Sequence, residues 1–374
     1  MDYTRKYTEL KSLFNSGLHE IKLPWSGVRI FNTDFQADFP PEGFLNSEDH
    51  QIGENSTFSY PVFTPVAESK KVILLLHGLN ERSWVKYLAW AHWLAENTSS
   101  YVILFPISFH INRSPDSWKD PRIMMPHMQS RNLAIGKSAM LSFANVALSN
   151  RLTEDPMRFF NSGYQTASDL IKLLKTIKAG KHAIIPGGCK LNIFGYSIGA
   201  FLAEIIMLTD PESLFSESKL FMLCGGSYFS NMNGRSKLIM DSYAFDRVYR
   251  FYLDEFENST KGKSKIAEFL RSAPAAISFR SMIDGSRFKS FREKRFKKLK
   301  DQIKCSVLRH DTVIPCEGVI GTLSETGRKS TVRVHDFTYP YSHENPFPVF
   351  GPDHSGEVDR SFETIFTEAE SFFG

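Results

Sequence analysis

The chain has 374 residues, of which 42% are hydrophobic and 13% aromatic, enough to bury one large core or two modest ones. Its net charge of +4 is too small to indicate a nucleic acid or another polyanion as a partner. No run approaches the roughly 20 apolar residues that a membrane-spanning helix needs, and the start, MDYTRKYTELKSLF, lacks the apolar core of a signal peptide. We therefore expect a globular cytoplasmic protein without a transmembrane segment.

The cysteines and the glycine motifs indicate neither a disulfide framework nor a cofactor. Four cysteines stand in or beside apolar runs without a paired metal-binding spacing, namely Cys189, Cys224, Cys305 and Cys316. This placement favours buried free thiols. Because the sequence also contains no glycine-rich phosphate loop, metal-binding histidine pair or nicotinamide fingerprint, we expect no cofactor and no metal.

The first half of the chain begins with strands. The segments 28–31 and 58–63 predict antiparallel strands at a sheet edge. The run at 72–76 is continuously apolar, which is typical of central parallel strands because helices cover both of their faces. A helix over 82–96 and a buried strand over 101–106 would complete a βαβ unit.

The middle of the chain interrupts this regular pattern twice. Residues 107–160, rich in Met, Ser, Arg, Asn and Pro, predict loop and irregular helix above the carboxyl edge of the sheet. A helix over 161–178, a strand–turn–helix over 190–209 and a strand over 219–224 follow. Residues 228–303 predict a long, largely helical insertion.

The alternation of strand and helix returns after the second insertion. Strands are predicted over 304–309 and 331–337, and helices over 317–324 and 357–373. Strands separated by helices are typical of a parallel sheet. The order of elements therefore predicts an α/β fold with a mostly parallel central sheet flanked by helices.

The turn at 195–199 reads Gly-Tyr-Ser-Ile-Gly, between a buried strand and an apolar helix. This arrangement matches a nucleophile elbow, in which the serine lies on a sharp strand-to-helix turn. The flanking glycines suit such a turn because a side chain there would collide with neighbouring backbone. The pentapeptide alone is weak evidence, since a structural Gly-Ser-Gly turn reads the same. Its context favours Ser197 as a nucleophile at the positive end of a helix.

With this motif order the chain resembles the α/β-hydrolase superfamily over roughly residues 55–374, apart from the two insertions. Enzymes of that superfamily place a nucleophile, an acid and a histidine in this sequence order, after successive strands of one sheet. The resemblance implies an α/β-hydrolase core over 56–227 and 304–374, with a helical cap insertion over 228–303. Residues 1–55 would form an N-terminal arm or edge strands.

The resemblance also implies the partners of Ser197. Asp311 follows the strand at 304–309 and opens the segment Asp-Thr-Val-Ile-Pro, which looks like the acid loop of the superfamily; an aspartate that caps a turn is the alternative. His343 follows the last strand and is our choice for the base. His354 competes with it, whereas His335 is expected to be packed within the strand.

A serine hydroxyl needs such partners because it is a poor nucleophile until a base takes its proton, and histidine serves best near pH 7. The carboxylate then orients the imidazole and stabilises its charged form. The resemblance implies an oxyanion hole formed by the backbone amides of Ile198 and of Leu79 or Asn80. His77 is expected to be structural.

The loops above the sheet supply four candidate substrate-contacting side chains: Trp84, His110, Arg113 and Trp118. Together they would form an aromatic wall with a cation suited to an acidic or polar acyl group. The alternative for Arg113 is a surface ion pair with Asp116 or Asp120.

Residues 280–304 contain ten basic and three acidic side chains, with apolar residues at helical spacing. A basic amphipathic helix binds an anionic membrane or nucleic acid in some proteins. More often its apolar face packs on the core and its basic face is solvated, and we favour this interpretation.

The resemblance implies a serine hydrolase that acts through an acyl-enzyme on a small-molecule carboxylic ester or thioester. A peptidase, an acyltransferase or a carbon–carbon cleaving enzyme would use the same residues. A catalytically silent scaffold that binds a ligand or a partner is the non-enzymatic alternative.

Overall fold

The computed structural model of the protein describes residues 2–38, 40–41, 43–324, 331–349 and 354–374. Within them the central feature is one sheet of nine strands in the order β1-β2-β3-β5-β4-β6-β7-β8-β9. The strands are β1 (Glu20–Lys22), β2 (Arg29–Gln36), β3 (Thr57–Thr64), β4 (Lys71–Leu76), β5 (Tyr101–Leu104), β6 (Lys190–Tyr196), β7 (Leu220–Leu223), β8 (Ile303–Leu308) and β9 (Val332–His335).

The sheet is parallel over two thirds of its width. Strands β5, β4, β6, β7, β8 and β9 pair in parallel, whereas β1, β2 and β3 pair antiparallel and join the parallel part through β3 and β5. All carboxyl ends of the parallel strands lie along one edge of the sheet. Loops from distant parts of the sequence therefore meet there.

Helices cover both faces of the sheet. They are α1 (Tyr3–Leu13), α2 (Ser47–His50), α3 (Gly53–Ser56), α4 (Val85–Thr98), α5 (Pro121–Ile135), α6 (Val146–Glu154), α7 (Met157–Lys178), α8 (Ile198–Thr209), α9 (Ser242–Arg250), α10 (Lys265–Ser272), α11 (Pro274–Ser281), α12 (Lys289–Leu299), α13 (Cys316–Leu323) and α14 (Ser355–Phe373). No helix of the described residues combines the length and the apolar character needed to cross a bilayer.

Strand β4 shows why the central strands are apolar throughout. Val72, Leu74 and Leu76 belong to the core cluster that α7 and α8 complete. Ile73 and Leu75 belong to the cluster on the opposite face, with α4 and α14. Because successive side chains of a strand point to opposite faces, a strand covered on both sides buries both sets, and in β4 only Lys71 at its start is exposed.

The basic segment 280–304 differs from the predicted single helix. Its helix, α12, covers only Lys289–Leu299, since Phe288 adopts a left-handed conformation with φ 48° and Ile303 begins β8. Phe296 and Leu299 are buried, which places the apolar side of α12 on the core. Near the start of the chain, Glu20–Lys22 and Arg29–Gln36 form β1 and β2 at the edge of the sheet.

Candidate active site

Ser197 lies between the end of β6 and the start of α8. Its backbone has φ 55° and ψ −123°, a conformation that a residue with a side chain adopts only under local constraint. A Cβ at Gly199 would stand 2.5 Å from the carbonyl oxygen of Leu76, and one at Gly195 would stand 2.6 Å from the Cα of Ala200. The turn therefore requires both glycines, which explains the motif spacing.

Three side chains at the carboxyl edge of the sheet form a hydrogen-bonded chain. Ser197 Oγ lies 2.7 Å from His343 Nε2, and His343 Nδ1 lies 2.7 Å from Asp311 Oδ2. Because a carboxylate only accepts, Nδ1 carries the proton and Nε2 is free to accept the proton of the serine hydroxyl. All three residues are at most 5% exposed.

Asp311 and His343 are each held by backbone contacts. The second carboxylate oxygen of Asp311 accepts hydrogen bonds from the amides of Val313 and Ile314, at 2.9 and 2.8 Å. The Tyr196 hydroxyl donates to the carbonyl oxygen of His343, and its ring stacks on the imidazole with a centroid separation of 5.8 Å. These contacts restrict the imidazole to the orientation that faces Ser197.

The competing histidines lie elsewhere. His354 precedes α14, is half-exposed, and has Nδ1 3.4 Å from a carboxylate oxygen of Glu357. His335 ends β9, where its Nε2 contacts the Ser306 hydroxyl at 3.2 Å. Of the three histidines considered, the structure brings only His343 to Ser197.

The loop after β4 approaches the other side of Ser197. The amide of Gly78 donates to the Tyr87 hydroxyl at 3.0 Å, and that hydroxyl donates to Glu81 at 2.7 Å. Among the described residues the backbone amides of Leu79 and Ile198 have no acceptor. An amide held by a rigid loop and an amide at a helix start are the donor types that stabilise an oxyanion.

His77 has the structural role expected from the sequence. Its Nδ1 donates to the Gly78 carbonyl oxygen at 2.8 Å, and its Nε2 accepts from the Ile107 amide at 2.9 Å. Burial lowers the pKa of this imidazole to about 3. A neutral, doubly bonded ring serves to join two loops rather than to carry protons.

Two adjoining depressions meet at the β4–α4 loop, and we call them the mouth and the apolar cavity. Both are lined by Leu79, Asn80, Glu81, Arg82 and Ala144. The mouth also contains Tyr196, Ser197, Leu238, Ile239, His343 and Glu344. The apolar cavity also contains Ile198 and several aromatic rings, among them Phe109, Phe159, Phe201 and Phe279.

The predicted substrate-contacting residues separate into two groups. His110 and Trp118 line the apolar cavity. Trp84 does not, because it is the N-cap residue of α4 and its buried ring packs edge-on against His77 in the core. The prediction for Trp84 is therefore wrong.

The prediction for Arg113 is also wrong, as is its surface alternative. The guanidinium is fully buried, with Nη2 2.8 Å from Asp169 Oδ2 and 3.0 Å from the carbonyl oxygen of Asn55. Burial raises the pKa of Asp169 to about 6, although the Arg113 charge acts to lower it. Arg113 thus joins the N-terminal segment to α7 and offers no cation to the apolar cavity.

One arrangement at the site bears on metal binding. Donor atoms of Cys224, Asp311 and His343 lie within 4.8 Å of one another. Burial raises the pKa of the Cys224 thiol, so a metal would have to displace its proton to bind there. Because Nδ1 of His343 already carries a proton toward Asp311, this donor set fits a hydrogen-bonded triad better than a metal centre.

Sequence reasoning missed Tyr196, Tyr87 and the cluster of phenylalanines around the apolar cavity. Tyr196 stands directly before the nucleophile, so its position at the end of a buried strand was a usable signal. The phenylalanines come from the loop after β5 and from α7, α8 and α11, and no local pattern predicts that they meet.

The parallel strand order, the strained serine turn and the order of Ser197, Asp311 and His343 along the chain define an α/β-hydrolase fold. Within that class, a family model described as "Family of unknown function (DUF6051)" matches residues 40–374, and the chain belongs to this family. A comparison with curated proteins finds no match.

Several solved structures resemble this chain at low sequence identity. Carboxyl esterase 2 from Tuber melanosporum is 10% identical with a TM-score of 0.49, covering 94% of this chain and 89% of that one. A thermostable carboxyl esterase from Bacillus coagulans is 13% identical with a TM-score of 0.44, covering 92% and 99%. Acylaminoacyl peptidase from Pyrococcus horikoshii is 11% identical with a TM-score of 0.44, covering 94% and 42%. Such likenesses say nothing about the substrate of this chain.

Proposed function

We propose that the protein is a serine hydrolase that cleaves a small-molecule carboxylic ester or thioester through an acyl-enzyme. The observation that carries the proposal is the unbroken hydrogen-bonded chain from Ser197 through His343 to Asp311, with 2.7 Å at both contacts. The strained serine turn and the amides of Leu79 and Ile198, which have no acceptor among the described residues, support the remaining requirement, a site for negative charge.

In the proposed mechanism Ser197 Oγ attacks the acyl carbon while its proton passes to His343 Nε2. The resulting oxyanion accepts hydrogen bonds from the amides of Leu79 and Ile198, and Asp311 stabilises the imidazolium. The imidazolium then gives its proton to the departing alkoxide or thiolate, which leaves the acyl group on Ser197. Water, deprotonated by His343, hydrolyses this ester by the same two steps in reverse order.

The insertion at 228–303 would act as a cap on the core formed by 56–227 and 304–374. Leu238 and Ile239 of this insertion line the mouth, and Phe279 lines the apolar cavity. The Asn80 side chain donates to the carbonyl oxygens of Ala144 and Leu238, at 2.9 and 2.7 Å. These bonds would fasten both insertions to the oxyanion loop and so control substrate access.

The proposal is tested by labelling with a small fluorophosphonate, read as intact mass, on the folded wild type and on matched variants. We expect one label on the wild type, none on Ser197→Ala and a loss of at least about 10²-fold in labelling rate for His343→Ala. Ser168→Ala, an exposed serine on α7, and His354→Ala are the controls and should label as the wild type does. A folded wild type that takes no label, or a Ser197→Ala variant that still does, contradicts the proposal.

A further inference from the structure

The apolar cavity holds the acyl side of the substrate if the proposed function is correct. Ser197 and His343 line the mouth, whereas Ile198 lines the cavity and Leu79 lies on the boundary of both. The leaving group must stay beside His343 to receive its proton, and the carbonyl oxygen must lie near the Leu79 and Ile198 amides. The acyl chain must then extend into the apolar cavity.

One polar side chain of this apolar wall, His110, has a ring nitrogen without a partner among the described residues. His110 is 5% exposed, and its Nδ1 donates to the carbonyl oxygen of Ser108 at 2.9 Å. Its Nε2 is buried and has no partner among the described residues. Burial lowers the pKa of this imidazole to about 3, so Nε2 is a hydrogen-bond acceptor at neutral pH.

The backbone that carries His110 is strained on both sides. Phe109 has φ 65° and Ile111 has φ 51°, a region that β-branched and bulky residues almost never adopt. Strain of this kind is retained where a side chain must be held in one position. The neighbouring contacts, from the His110 amide to Ile107 and from the Ile111 amide to Glu81, fix the turn further.

A second unsatisfied group lines the same cavity. Arg82 Nε is buried and has no acceptor among the described residues, while its Nη2 donates to the carbonyl oxygen of Lys119 at 2.5 Å. The other three cations of the wall are paired. Lys119 contacts Asp116 at 3.0 Å, and Arg151 and Arg158 contact the carboxylate of Asp49 at 2.9 and 3.0 Å. The wall therefore offers a free acceptor, His110 Nε2, and a free donor, Arg82 Nε, among the described residues. A carboxylate only accepts hydrogen bonds, so it would leave His110 Nε2 unsatisfied.

We infer that His110 and Arg82 recognise a hydroxyl group on an otherwise apolar acyl chain. A hydroxyl donates one hydrogen bond and accepts others, so it is the smallest substituent that satisfies both an imidazole acceptor and a guanidinium donor. Leaving either group unpaired in an apolar cavity costs more than a typical hydrogen bond contributes, which is how a polar pocket rejects an apolar analogue. This inference rests on the proposed function and adds the class of its substrate.

The test compares nitrophenyl esters of one straight-chain acid in three forms: unsubstituted, hydroxylated and methoxylated. The substituent is placed in turn at each chain carbon whose hydroxyl does not attack the ester carbonyl spontaneously to form a lactone. For the best position we expect kcat/KM of the wild type to be at least about tenfold higher for the hydroxylated ester than for the unsubstituted one. The methoxylated ester, which accepts but does not donate, should lose most of this preference.

His110→Phe keeps an aromatic ring and removes the acceptor, so this variant should cleave the hydroxylated and unsubstituted esters with about equal kcat/KM. Arg82→Met is a second variant and should also reduce the preference, while Trp118→Phe, an apolar neighbour in the wall, should retain it. A wild type without preference at any position, or a folded His110→Phe with the wild-type preference, overturns the inference. If the wild type also fails to take the fluorophosphonate, the proposed function itself fails, so the two failures are distinguishable.

Discussion

A methyl group added at Gly225 tests whether the serine turn depends on the close approach of α8 to the end of β7. The Cβ of Gly225→Ala would stand 2.3 Å from the Cβ of Ala200 and 3.2 Å from the carbonyl oxygen of Ser197. Unstrained carbon atoms are about 3.5 to 4.0 Å apart, so α8 must move by more than about 1 Å. We expect a loss of about 1–3 kcal/mol in the free energy of unfolding and slower labelling of Ser197.

Ala200→Gly removes the atom that causes this clash. On its own it should cost about 1–2 kcal/mol, through lost methyl burial and lower helix propensity. The double variant with Gly225→Ala should lose less stability than the two single variants lose together, by a coupling energy of about 1–3 kcal/mol.

Gly195→Ala is the matched control, because its Cβ would stand 2.6 Å from the Cα and 3.0 Å from the amide nitrogen of Ala200. Those backbone atoms remain in Ala200→Gly, so little rescue is expected. Urea unfolding of the wild type, the three single variants and the two double variants with Ala200→Gly measures each stability difference, provided that the m values are equal. The reasoning is refuted if Gly225→Ala is as stable as the wild type, or if Ala200→Gly rescues both alanine variants equally.

Three further changes probe contacts around the site. Tyr87→Phe removes the acceptor of the Gly78 amide, so fluorophosphonate labelling should slow several-fold and stability should fall by about 1–3 kcal/mol. An unchanged labelling rate would show that the oxyanion loop keeps its conformation without this hydrogen bond. Arg113→Met leaves the buried Asp169 without its cation and should lower the free energy of unfolding, measured in urea, by about 3–5 kcal/mol. Adding Asp169→Leu to this variant should restore part of the loss, and a double variant no more stable than Arg113→Met would contradict this. Burial lowers the pKa of His92 to about 3, so the folded protein binds fewer protons than the unfolded chain and loses stability as the pH falls below about 6.5. Between pH 7 and pH 5 this group lowers the free energy of unfolding by about 2 kcal/mol. The loss of stability over the same pH range should be smaller by that amount in His92→Gln, and an identical loss in both proteins would refute the role of His92.

Local patterns predicted the features of this protein that depend on neighbouring residues. The apolar run of β4 predicted a strand covered on both faces, and the glycines around Ser197 predicted a sharp turn, because each reflects sterics within a few residues. The position of Asp311 after β8 followed from the order of strands.

Contacts between distant segments decided the rest. Nothing near Arg113 indicates that it pairs with Asp169 at a separation of 56 residues, because burial and ion pairing depend on which helices pack together. For the same reason the chain alone left His343 and His354 as competitors, and only the folded loops bring one of them to Ser197.

The sequence by itself thus determined the α/β architecture and the position of the serine turn, since periodicity and steric constraint act along the chain. Only the tertiary structure decided that His343, and not His354, meets that serine. It alone also decided that His110 Nε2 and Arg82 Nε lie in one apolar cavity without a partner among the described residues. Such choices are made by packing, which joins residues that no short stretch of sequence connects.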